Sequence, residues 1–72
     1  MNQKAQALFD YIKTYFPGQK DIEIFNLMFK IDQEAYALFM KSLTGTTWVK
    51  TVGGVCPLEL RNEYTPKGIE VF

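Results

Sequence analysis

Two closely spaced pairs of acids, Asp21 with Glu23 and Asp32 with Glu34, and one thiol, Cys56, are the side chains of this chain whose types and spacing stand out as candidates for acid–base or nucleophilic chemistry. Such chemistry needs partner groups held together with shifted pKa values, and the 72 residues include no histidine to serve as a base. Cys56 stands beside Pro57 with no basic neighbour, and a thiol without an electropositive setting is not activated. Its plain role is that of a small strand residue, a redox or interchain role being the alternative. Each acid pair reads as helix N-terminal charge that complements the macrodipole. One cysteine without histidine makes no zinc pattern, and Gly53-Gly54 lacks the Lys-Ser/Thr and following helix of a phosphate loop. No catalytic residue, metal or cofactor is therefore expected, and the chain reads as a binding module, not an enzyme.

The elements that carry these residues divide into a helical first half and a β-rich second half. Ala5, Leu8, Phe9, Ile12 and Phe16 fall in one stripe at about 100° per residue, which predicts a helix over about 3–16. Asn2 is placed to cap it, and Pro17-Gly18 to stop it. Ile22, Phe25, Met28 and Phe29 predict a second helix over about 21–30. Asp32 reads as the N-cap of a third, over about 32–43, with Ile31, Ala35, Leu38, Phe39 and Ser42 facing inward and Gly45 as its stop. After Gly45 the run Thr46-Thr47-Trp48-Val49-Lys50-Thr51-Val52 is β-branched and aromatic, and Gly53-Gly54 is a turn signal. A hairpin over about 47–64 follows, its return strand running from Val55 to Tyr64. Pro57 cannot donate to a ladder and places that strand at an edge or a bulge. Trp48 opens the hairpin and is expected to pack against a helix.

Composition narrows the class. A chain this short fits a single domain over 1–72, and 47% hydrophobic residues, with six Phe and four Tyr, exclude disorder. No stretch reaches the ~20 apolar residues of a membrane span. A lone cysteine suits a reducing interior, so a cytoplasmic location is expected. Net charge is zero, whereas phosphate binding is driven by basic excess. The charge is nonetheless patchy: residues 35–58 hold Lys41 and Lys50 and no acid.

Three helices and a hairpin, ending in Tyr64-Thr65-Pro66-Lys67-Gly68-Ile69-Glu70, resemble the winged-helix (winged helix-turn-helix) family. In that family a wing strand commonly ends in a Tyr-x-Leu-Thr-x-x-Gly-like stretch that turns into a final helix; the Leu is absent here. The resemblance implies an α+β fold, a three-helix domain with a C-terminal β-hairpin wing, acting in DNA binding and transcription regulation. Double-stranded DNA would meet the third helix through Gln33, Ala37, Lys41 and Thr44, and the wing through Lys50 and Thr51. Asp32 and Glu34 would oppose approaching phosphates at the front of that helix.

A second surface is legible without the resemblance. Ile24 and Leu27 project from the side of the second helix opposite its apolar stripe, and a helix apolar all round must be covered all round. The C-terminal Ile69, Val71 and Phe72 could cover them. The competing reading is an interface with a second copy or another protein, extended by Tyr11, Tyr36 and Met40. A protein-interaction or homodimerisation module is thus the alternative to a DNA binder, and a purely structural small protein is the third reading.

Overall fold

The computed structural model describes residues 1–51, 53–64 and 70–71. Helix α1 spans Gln3–Tyr15, where Asn2 Oδ1 accepts from Ala5 N at 2.8 Å as the expected cap. The Asn2 amide also donates to Thr44 O at 2.9 Å, tying the helix start to a loop 42 residues away in sequence. Ala5, Phe9 and Ile12 are its buried stripe. Phe16, expected to continue that stripe, is instead exposed beyond the helix end.

The main departure comes next. The helices expected over 21–30 and 32–43 are one continuous helix, α2, over Asp21–Phe39. No glycine or proline interrupts this stretch, so nothing in the backbone forces a break at Asp32. Asp21 and Glu23 do lie in the first turn, as the macrodipole favours, and Glu23 Oε1 accepts from Lys20 N at 2.9 Å. Asp32 and Glu34 lie mid-helix, so their reading as N-terminal charges is corrected. The helix also stops four residues before the expected end, with Met40 as C-cap in the left-handed region at φ 63°.

The hairpin is shorter than expected. Strand β1 (Trp48–Thr51) pairs antiparallel with β2 (Gly54–Pro57), Thr51 facing Gly54 across the turn. The return strand does not run to Tyr64. After Pro57, which lacks a ladder donor, the chain makes one turn of 3₁₀ helix at Leu58–Leu60 and a short helix α3 at Arg61–Tyr64. A third strand, β3 (Glu70–Val71), pairs antiparallel with the other edge of β1, so the order is β2-β1-β3 and Pro57 lies in an edge strand, as its chemistry requires. The final helix that the winged-helix resemblance implies would fall on residues 65–72, of which only Glu70–Val71 are described, and these form strand β3.

Ile24, Phe25 and Met28 of α2 join Ala5, Phe9 and Ile12 of α1 and Trp48, Val49, Val55 and Cys56 of the sheet in one core. The Phe9 and Phe25 rings meet at 5.3 Å between centroids and join the two helices. Val55, Cys56 and Pro57 are buried in succession, which requires cover on both faces of β2; α2 and α3 both pack on this strand. The domain is thus α+β, with two long helices and a small antiparallel sheet. Among the described residues no helix is long and apolar enough to cross a membrane.

Candidate functional site

Asp32 is the organising residue of the second half of the molecule. It follows the buried positions Ile24, Phe25 and Met28 on the same stripe of α2 and is 4% exposed. Its Oδ1 accepts from the backbone N–H groups of Leu43 and Thr44, each at 3.0 Å. Its Oδ2 accepts from the Thr44 hydroxyl at 2.5 Å and from the Trp48 indole N–H at 2.9 Å. A carboxylate offers about four lone-pair sites, and here four donors fill them. Thr44 spends its one hydroxyl proton on Asp32, while its oxygen accepts from Thr46 N at 3.2 Å. The loop after α2 is thereby pulled back along the helix, and Trp48 is fixed beside it, edge-on to Phe29 at 5.8 Å between ring centroids.

With the loop held this way, the end of α2 is left uncovered. Leu38, Phe39 and Met40 are 75%, 68% and 76% exposed, and Tyr36 and Leu43 are more than half exposed. Leu38 and Phe39 were expected to face inward in a helix running to residue 43; because α2 ends at Phe39 and the chain turns back through Asp32, they project into solvent. Met40 adds a second oddity. A left-handed φ at a helix C-terminus is usually met by glycine, and costs a side chain with a Cβ roughly 1 kcal/mol. Met40→Gly should raise stability by about 0.5–1 kcal/mol in urea denaturation; an unchanged midpoint would show that this residue stores no strain.

The residues named from sequence scatter across this frame. Gln33, Ala37, Lys41 and Lys50 are exposed. Thr44 and Thr51 are buried, the first bound to Asp32 and the second donating to Gly54 O at 2.9 Å. Their hydroxyls are therefore committed within the fold and do not face solvent. Ile24 is a core residue at 1% exposure, whereas Leu27 is 42% exposed. Tyr11 is exposed and stacks obliquely on Tyr15 at 4.8 Å. Of the proposed cover for Ile24 and Leu27, Ile69 and Phe72 lie outside the described residues, and Val71 is paired with Val49 in the sheet.

Two concavities border these surfaces. A cleft of about 380 Å³ runs along Phe29, Asp32, Gln33, Tyr36 and Ala37 to Trp48. A smaller groove of about 310 Å³ lies between Phe16 and Leu27. Sequence reasoning missed Phe29 and the hub role of Asp32. The available signal was an acid spaced at helical period from Phe25 and Met28, hence on the buried face. Cys56 is fully buried, and burial, with Glu59 nearby, pushes its thiol up from the ordinary value, away from the thiolate a nucleophile needs. Among the described residues no three His, Cys, Asp or Glu side chains gather to hold a metal ion. Compared with protein-family profiles, curated proteins and solved structures, the chain matches none of them.

Proposed function

We propose that this domain is a non-enzymatic protein-interaction module that docks through the apolar end of α2, with self-association as the form most directly tested. The observation that carries it is the exposure of Tyr36, Leu38, Phe39, Met40 and Leu43, five large apolar side chains within eight residues. A single exposed apolar residue is ordinary, but a cluster marks an interaction surface. Aromatic residues and methionine are enriched in such interfaces, and charged residues are depleted. A zero net charge also leaves no net-charge repulsion between copies. Two copies presenting the same patch can meet isologously.

Sedimentation at tens of micromolar should give a mass above the 8.3 kDa of one chain. Phe39→Lys should return it to a monomer. Lysine suits the last turn of α2, which has no basic residue, so loss of association will not reflect a weakened helix. A wild-type monomer throughout this range would overturn the self-association form.

DNA binding is the second reading, supported by the exposure of Lys41 and Lys50 outside any acidic run. With so few phosphate contacts, log K should fall with log salt at about −0.9 per contact. The same preparation titrated with random duplex at low salt tests it. Binding that disappears in Lys41→Ala with Lys50→Ala would support it, and no binding would remove it.

A further inference from the structure

We propose that the cleft beside Trp48 binds a quaternary ammonium group. It is lined by the aromatic residues Phe29, Tyr36 and Trp48 together with Asp32, Gln33, Ala37 and Ser42. Phe29 and Trp48 stand at 70° to one another, so the aromatic walls are angled and not stacked. Its volume of about 380 Å³ lies within the ~300–1,000 Å³ range of small-molecule sites.

Three features select a cation. Asp32 is buried and, among the described residues, forms no ion pair with a lysine, arginine or the N-terminus. Its hydrogen bonds spread the negative charge without neutralising it, so its field reaches the cleft that it helps to line. The cleft also lies toward the C-terminal end of α2, where the helix dipole is negative and the last turn has no basic residue. Finally, aromatic faces attract cations through the ring quadrupole, tryptophan most strongly. The Trp48 indole gives its N–H to the carboxylate at 2.9 Å, which makes the ring more electron-rich.

A fourth feature selects the kind of cation. All the Asp32 acceptor sites are taken by Leu43, Thr44 and Trp48. A primary ammonium or guanidinium entering the cleft would find no free carboxylate oxygen, and could turn its N–H donors only to the neutral side chains of Gln33, Tyr36 and Ser42 or to water, at a desolvation cost. A quaternary ammonium has no N–H to satisfy and needs only the field and the ring faces. The cleft shares Tyr36 with the proposed docking patch, but Phe39 is not among its lining residues, so the titration below is also run in Phe39→Lys to separate the two readings.

The test uses the emission of Trp48, the one tryptophan of the chain. Wild-type protein is titrated with choline chloride at ionic strength held constant with sodium chloride. Two isosteres follow: ethanolamine, which keeps the charge but adds N–H groups, and the uncharged analogue in which tert-butyl replaces trimethylammonium. Choline should give a saturable change in the millimolar range, with each isostere weaker by about tenfold. Tyr36→Ala should weaken choline by about fivefold or more; this ring is more than half exposed and outside the core, so the variant folds. No saturable response to choline, an equal response to either isostere, or unchanged affinity in Tyr36→Ala overturns the proposal.

Discussion

Asp32→Ala should lower the unfolding free energy by about 3–5 kcal/mol, and Asp32→Asn by about 2–3 kcal/mol. The whole stability of a domain this size is about 4–11 kcal/mol at typical per-residue values, so the alanine variant should be largely unfolded in modest urea. The reason is the asymmetry of buried hydrogen bonds: removing the shared acceptor strands the donors of Leu43, Thr44 and Trp48 at once. Asparagine keeps the shape but not the chemistry. One side of its amide must point N–H groups at either the Leu43 and Thr44 amides or the Trp48 indole, whichever way it turns. Only the Thr44 hydroxyl can rotate to accept. Urea denaturation followed by Trp48 emission and by circular dichroism measures both changes. A loss below about 1 kcal/mol in Asp32→Ala would show that the network contributes little beyond what water supplies.

Gly54→Ala should cost about 3 kcal/mol, while Gly53→Ala should be nearly neutral. The two glycines are adjacent and look alike in sequence, so the contrast is informative. Gly54 has φ 142°, a conformation that side chains rarely adopt. A Cβ there would run into the side-chain amide of Asn26. That amide is the acceptor for Val55 N at 2.9 Å, the bond that fastens α2 to the hairpin. The substitution therefore adds backbone strain and displaces the latch together. A Cβ on Gly53 would meet only Ile22 Cγ1, at an ordinary 3.7 Å. Equal midpoints for the two variants would show that neither strain nor the Asn26 latch matters.

Much of the local structure was legible because it depends on short-range chemistry. The apolar stripe of α1, the Asn2 cap, the change to β-branched residues after Gly45 and the edge position of Pro57 each follow from one element's own residues. The α+β class and the hairpin turn follow from the same signals. What sequence reasoning misjudged was the partner of each polar group. Asp32 has the chemistry of a helix N-cap, accepting backbone N–H groups, and it does accept two of them. They belong to Leu43 and Thr44, eleven and twelve residues further on, and not to a helix beginning at Asp32. Local pattern cannot distinguish these choices, since both satisfy the same carboxylate.

That single pairing decides the candidate sites. Because the loop returns to Asp32, α2 runs unbroken and stops at Met40, and Thr44 is buried. For the same reason Leu38 and Phe39 lie outside, and Trp48 is brought to Phe29 at the edge of the cleft. The sequence by itself determined the helical and β halves, the capped first helix, the turn glycines and the small stock of reactive side chains. The tertiary structure alone decided which apolar residues stay in solvent and which aromatic rings share a wall with a buried charge. Periodicity specifies the face of one element. Which faces then meet depends on contacts between residues far apart in the chain, which no local pattern records.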